Sequence, residues 1–335
     1  MVAAALLAGL LGPGADALEE GPVTGPGTLV PMGRAVGIKL FSDGVMVVGF
    51  SQIPADRGAV IPARDCGLRE GDVITHINAR EVDTIEEVRS CLREIGGAEM
   101  SIRALRGGKP FQVTAQAARC SSDGAYKLGA WLRDSMAGIG TVTWYDPDSG
   151  RFGALGHGIN DVDTARLMPM DHGGVLTAHV DQVKKGQKGD PGELHGSFET
   201  QRDIGVLSAN TGVGIFGTLD APGPEGAAAV PVARREELHT GPATILSNVS
   251  GDEVEEFTVE ITRLLPGGET GRDMTLRVTD PRLLERTGGI VQGMSGSPIL
   301  QDGKLVGAVT HVLISDPAQG YGVFIQRMLQ AAGES

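Results

Sequence analysis

Two short stretches of this 335-residue sequence carry side chains that could do chemistry. In the first, Phe152-Gly153-Ala154-Leu155-Gly156-His157-Gly158-Ile159, a histidine stands between two glycines. Imidazole exchanges a proton readily near neutral pH, so His157 is a candidate general base. In the second, Gly288-Gly-Ile-Val-Gln-Gly293-Met-Ser295-Gly296-Ser297-Pro298-Ile299, Ser295 stands among small residues. Small neighbours let backbone N–H groups point at a developing oxyanion. Ser295 is therefore a candidate nucleophile, and the N–H groups of Gly293 and Ser295 are candidate oxyanion donors. Ser297 is the lesser candidate for the same role. A third group is needed to orient the imidazole. Asp280, in Val278-Thr279-Asp280-Pro281-Arg282-Leu283, is one choice, but Asp before Pro is also a good helix N-cap. On residues alone Asp161, Asp163, Asp171 and Asp203 remain equally open.

Other chemistries are excluded by spacing or context. Gly212-Val-Gly-Ile-Phe-Gly217 fits G-x-G-x-x-G, but the Thr218-Leu-Asp-Ala-Pro-Gly-Pro that follows cannot open the helix a dinucleotide fingerprint requires. His157, Asp161 and Asp163 match no standard metal spacing, so no metal and no cofactor is expected. The net charge of −13 disfavours phosphate backbones and anionic lipid, so no nucleic-acid partner is expected. The 3 cysteines are odd in number and form no C-x-x-C pair, which argues against a disulfide framework.

The elements that must position these groups read as mainly β. There are 51 glycines and only 4% aromatics, yet 41% of residues are hydrophobic. That describes a folded chain with many turns and short strands. Residues 1–17 hold an apolar, uncharged run ending in Ala15-Asp16-Ala17, a signal-like or anchor-like segment too short to span a bilayer. Membrane association is expected at most through this segment. Residues 18–34 read as a linker. Ser42-Asp43-Gly44 between apolar runs predicts a hairpin. Ile85, Val88, Leu92 and Ile95 predict an amphipathic helix, with Asp83 and Glu86 as its capping box and Gly96-Gly97 as its stop. From about residue 125 onward, short strands between turns suggest a barrel or sandwich. Helices are expected only over 281–286 and 323–332.

Residues 35–117 resemble a bacterial-type PDZ domain, through Val36-Gly37-Ile38 and Gly67-Leu68-Arg69-Glu70-Gly71-Asp72-Val73-Ile74. The resemblance implies that Val36, Gly37 and Ile38 form a loop receiving a peptide's C-terminal carboxylate, and that the peptide adds a strand to the sheet. The Ser295 stretch is similar to the G-D-S-G-G-P of chymotrypsin-like serine peptidases, and the order His157, then Ser295, is that of the class. This implies a double β-barrel over residues 125–330.

Phe152-Gly-Ala-Leu-Gly-His-Gly-Ile, Gly214-Ile-Phe-Gly-Thr, Thr279-Asp-Pro-Arg-Leu-Leu, the long Ser295 motif and Gly307-Ala-Val-Thr-His-Val resemble the stage IV sporulation protein B family over residues 30–330. The resemblance implies a serine endopeptidase with His157 as base, Asp280 as orienting acid and Ser295 as nucleophile. It also implies cleavage of itself and of a membrane-bound regulator of an intramembrane protease, activating a late sigma factor. The expected location is across or on the inner forespore membrane, in the space facing the mother cell. His311, in a matched motif on the strand expected to line the cleft, is a candidate for shaping specificity and equally a candidate packed strand histidine. The alternatives are a general envelope-stress PDZ protease and a PDZ scaffold with an inactive protease domain.

Overall fold

The computed structural model describes residues 27–56, 58–220, 227–265 and 271–333. The signal-like segment 1–17 lies outside them. The fold is mainly β: two six-stranded barrels and a PDZ module.

Strand β1 (Ala35–Phe50) begins the first barrel and ends in the PDZ module. The module continues with β2 (Val73–Ile77), helix α1 (Ile85–Ile95), β3 (Glu99–Arg106) and β4 (Lys109–Gln116). The chain then returns along β5 (Ala130–Tyr145), antiparallel to β1 from Ala130↔Phe50 to Thr141↔Ala35. Next come β6 (Arg151–Ala154), β7 (His172–Lys184), β8 (Glu193–Thr211) and β9 (Gly214–Leu219). Pairings β1–β5, β5–β6, β6–β9, β9–β8, β8–β7 and β7–β1 close the first barrel. The second barrel is built from β10 (Gly241–Ser250), β11 (Glu253–Leu264), β12 (Met274–Val278), β13 (Pro298–Gln301), β14 (Lys304–Val312) and β15 (Gln319–Phe324). It closes in the order β10-β11-β12-β15-β14-β13. Helix α2 (Pro281–Thr287) precedes the Ser295 turn, and α3 (Ile325–Gly333) ends the described chain.

The PDZ module is thus an insertion between two adjacent strands of the first barrel. Three expectations change as a result. Ser42-Asp43-Gly44 is not a hairpin. Phe41 pairs with Ser135 and Met46 with Arg133, so residues 42–45 bulge opposite Asp134 alone. The bulge bends β1 out of the barrel without breaking it. Val36, Gly37 and Ile38 are not a carboxylate-binding loop. They pair with Gly140, Ile139 and Gly138 of β5 on one edge, and with Thr177, Leu176 and Val175 of β7 on the other. A strand paired on both edges has no ladder groups left for a peptide. The linker reading of 18–34 fails over its described end: Thr28–Pro31 is a strand on β5, with Leu29 and Val30 buried.

Each unit has its own core. Val45, Val47, Leu68, Ile74, Ile77, Val88, Leu92 and Ile102 fill the PDZ module. Val36, Ile38, Val142, Phe152, Val175 and Ile215 fill the first barrel. Phe257, Leu276, Met294 and Ile299 fill the second, and Val180 of β7 and Leu194 of β8 join that cluster, so the barrels share a seam. A smaller cluster of Leu40, Met46, Val73 and Met168 joins the PDZ module to the first barrel. Helix α1 takes the capping box one residue later than expected. Thr84 accepts from the Glu87 N–H, the Glu87 carboxylate accepts from Thr84 N–H, and Asp83 instead accepts from Gly44 N–H.

Ile38→Ala discriminates the barrel strand from a solvated loop. The side chain is 5% exposed in a packed core, so its truncation should cost about 2–5 kcal/mol in a denaturant titration. A change below about 0.5 kcal/mol would mean the residue is not in a core.

Candidate active site

The Ser295 turn runs from the C-cap of α2 at Gly288 into β13. The carbonyls that precede Gly293 and Ser295 are held by backbone N–H donors. Gln292 C=O accepts from Leu194 N–H (2.9 Å) and Met294 C=O from Ser297 N–H (3.0 Å). A trans peptide points its N–H opposite its C=O. The Gly293 and Ser295 N–H groups therefore face away from those partners, and neither has an acceptor among the described residues. Two such free donors, flanking and including the serine, are what an oxyanion hole requires. Gly296 lets the turn approach the first barrel. Its φ is +99°, and a Cβ there would lie 2.0 Å from Thr141 O. The Ser295 hydroxyl donates to Thr310 C=O (2.7 Å). Ser297 is fully buried and donates to the Ser247 hydroxyl (3.1 Å), which leaves it a structural role.

His157 follows β6 through Leu155 and Gly156, both at φ +68°. Leu155 is a left-handed residue with a bulky side chain, held by its burial and by its N–H bond to Thr141 O (3.1 Å). His157 Nδ1 lies 2.8 Å from Gly158 C=O. A carbonyl can only accept, so Nδ1 carries the hydrogen and Nε2 keeps its lone pair. That is the tautomer a general base needs. Burial pushes the imidazole below its ordinary pKa, and the Gly158 bond partly opposes this.

His311 is part of the same cluster. Its ring centroid is 5.1 Å from that of His157. It follows Thr310, the acceptor of the Ser295 hydroxyl. Its pKa is lowered to about 4, first by burial and then by His157 and Arg272 nearby. Its Nδ1 is buried without a hydrogen-bond partner among the described residues. Two neutral imidazoles therefore lie together near the Ser295 turn at neutral pH.

Asp280 is not in this cluster, which corrects the expected triad. It is the N-cap of α2, accepting from Arg282 N–H (2.9 Å) and Thr258 N–H (3.2 Å). Its carboxylate also pairs with the Arg282 guanidinium (2.9 Å), which holds its pKa down to about 2. The other carboxylates left open by the sequence are engaged elsewhere. Asp161 and Asp163 pair with Arg133, Asp171 with His172, and Asp203 with Lys39. Among the described residues no carboxylate bonds to His157. The group holding its ring is a backbone carbonyl.

Two positioning groups escaped sequence reasoning. Asn210, at the end of β8, accepts from Ile159 N–H (2.8 Å) and donates to Ile159 C=O (3.0 Å) and Met168 C=O (2.9 Å). It fixes the segment that carries the Gly158 carbonyl. Thr141 bonds to the serine turn. Neither stands in a motif whose spacing announces it.

The PDZ module offers a second place for recognition. Over residues 130–136, β5 pairs with β1 on one edge only, and its other edge faces α1, whose first N–H donates to Asp134 (2.8 Å). Gly129, at φ +71°, precedes this edge. Leu128 C=O accepts from Ala63 N–H (2.8 Å) and Gly129 C=O from Ser51 N–H (2.9 Å), so the N–H groups of Gly129 and Ala130 point away from those partners. These two outward N–H groups lie at residues 129–130, whereas residues 36–38 are paired on both edges.

Two predictions follow from the site. Asp280→Ala should lower stability by about 1–2 kcal/mol through the lost cap, while turnover measured well below the melting point stays within a few-fold of wild type. Loss of turnover with stability intact would return Asp280 to the catalytic set. Because His157 must be neutral to act and burial lowers its pKa, the acid limb of kcat/KM should have its midpoint below the ordinary value of about 6.5. A midpoint above that value would contradict the buried environment.

A family model described as SpoIVB peptidase S55 matches residues 124–329, and one described as a PDZ domain matches residues 60–106. Among solved structures, the active form of the Rv3671c protease from M. tuberculosis is 16% identical, with 73% of this chain and 83% of that one covered and a TM-score of 0.33. The thermostable serine protease AL20 from an extremophilic microorganism is 12% identical, with coverages of 60% and 93% and a TM-score of 0.33. The PDZ domain of the SdrC-like protein from Listeria monocytogenes is 24% identical, with coverages of 27% and 87% and a TM-score of 0.22. No curated protein matches.

Proposed function

The chain belongs to the SpoIVB peptidase S55 family and is a serine endopeptidase with a PDZ module; from that premise we propose how its residues act and on what. Ser295 Oγ attacks the scissile carbonyl after leaving its bond to Thr310 C=O. His157 Nε2 takes the hydroxyl proton and returns it to the leaving amine. The Gly293 and Ser295 N–H groups receive the oxyanion. The Gly158 carbonyl keeps the His157 ring in its reactive tautomer, the task a carboxylate performs in other serine peptidases. The observation that carries this reading is the pair of acceptor-free N–H groups at Ser295 beside a histidine whose Nδ1 is already committed.

The substrate is a protein chain. We propose that it is the family's substrate: a membrane-bound regulator of an intramembrane protease, along with the peptidase itself, in sporulation signalling. The site of action is the space between forespore and mother cell, reached through the N-terminal segment 1–17. The PDZ module would receive a peptide C-terminus on the open edge of β5, with the carboxylate on the Gly129 and Ala130 N–H groups.

A fluorophosphonate probe should label wild type at Ser295, as read by mass spectrometry of tryptic peptides. Ser295→Ala and His157→Ala should each lose about 10⁴–10⁶ in turnover if the pair acts as a unit. Substantial turnover in Ser295→Ala would overturn the assignment. N-terminal sequencing after incubation with the ectodomain of a candidate membrane-bound regulator should yield one discrete new N-terminus. Uncut ectodomain alongside active enzyme would exclude that substrate. A peptide with a free C-terminus should bind the full chain, and its C-terminal amide should not. Equal binding by both would remove the carboxylate role of residues 128–130.

A further inference from the structure

We infer that Thr141 is a positioning residue of the peptidase reaction, the side chain through which the first barrel sets the oxyanion turn of the second. This rests on the reading of Ser295 as nucleophile and of Gly293 as an oxyanion donor. Thr141 lies on β5 and is 1% exposed. Its N–H donates to Ser295 C=O (3.0 Å), and its C=O accepts from Leu155 N–H (3.1 Å), two residues before His157. Any residue here could make those two bonds. The third is specific to the side chain: Thr141 Oγ1 donates to Gly293 C=O (2.7 Å).

The chemistry of that bond is local to the oxyanion hole. Gly293 has φ +98° and no Cβ, so few of its torsional states are blocked by its own atoms. Its orientation must be imposed by neighbours. Gln292 C=O is held by Leu194, which directs the N–H side of Gly293. The carbonyl side is held by Met294 N–H donating to Val291 C=O (3.1 Å) and by the Thr141 hydroxyl. Removal of the hydroxyl leaves a half-buried carbonyl without its side-chain donor, and rotation of that peptide disturbs the adjacent N–H. Oxyanion donors act by being aimed before the charge appears, so loss of aim lowers the rate of the chemical step more than substrate binding. Were packing the only demand, valine would fill the same space without burying a hydroxyl.

The test uses the full chain as wild type, Thr141→Val, Thr141→Ser and Ser295→Ala. Hydrolysis of p-nitrophenyl butyrate and the rate of fluorophosphonate labelling are measured well below the melting point of each variant. Thr141→Val should lower kcat and the labelling rate about 10- to 100-fold with KM little changed, and Thr141→Ser should restore both to within about threefold of wild type. If Thr141→Val does not fold, Thr141→Ala against Thr141→Ser gives the same contrast. Wild-type rates in Thr141→Val or Thr141→Ala would overturn the inference. So would a loss in Thr141→Ser equal to that in Thr141→Val. An active Ser295→Ala, or a wild type not labelled at Ser295, would instead overturn the underlying reading of the site.

Discussion

The antiparallel pairing of β1 with β5 is the contact on which the rest of the molecule depends. Two sixteen-residue strands lie side by side from Ala130↔Phe50 to Thr141↔Ala35. One end of this ribbon closes the first barrel and the other forms part of the PDZ sheet. The register is fixed where both ends bury side chains: Ile38 and Val142 in the barrel core, Val45 and Val47 in the PDZ core. A slip of one residue would turn both sets outward at once. The bulge at residues 42–45 relieves the one place where two separately twisted sheets must share a strand. An inserted domain with both of its connections in one ribbon has little freedom to drift. The packing of Met46 and Val73 on Leu40 and Met168 restrains it further.

The same strand sets the chemistry. Past its PDZ half, β5 reaches Thr141, whose three hydrogen bonds hold the serine turn and the approach to His157. His157 and Ser295 come from different barrels, and neither barrel alone defines their geometry. Their alignment is imposed by backbone groups of a buried strand, which move only if the ribbon moves. Residues 130–136 of that strand also present the open edge beside α1. The open edge beside α1 and the segment that bonds to the Ser295 turn are therefore parts of one strand.

Among the described residues no carboxylate bonds to either histidine of the site. His157 is oriented by a carbonyl dipole, its neighbour His311 is neutral, and Asp280 is spent on a helix cap and an arginine. A dipole stabilises an imidazolium less than a carboxylate does, and burial disfavours the charged ring further. The His157 ring thus stays neutral to a lower pH than a free imidazole does. The hydroxyl of Ser295 is turned to Thr310 C=O.

Groups whose roles depend on local neighbours were legible in the sequence by itself. Glycines around Ser295 and His157 marked two tight turns, because positive φ and close backbone approach need residues without a Cβ. The helix over 281–286 and the apolar face of α1 followed from spacing. The double barrel and the PDZ module came from motif resemblance and strand count. What failed depended on partners distant in sequence. Ser42-Asp43-Gly44 has hairpin chemistry, but β5 pairs with β1 on both sides of it, so the local turn preference is absorbed as a bulge in a strand that runs on. Val36-Gly37-Ile38 was taken out of solvent by the same pairing. Asp280 satisfied both a cap and a triad on paper, and only the fold put Arg282 and Thr258 on its oxygens. Thr141, Asn210 and the Gly158 carbonyl were invisible because a hydrogen bond to a backbone group leaves no residue-type signature at its other end. Tertiary structure alone decided which of these polar atoms would meet.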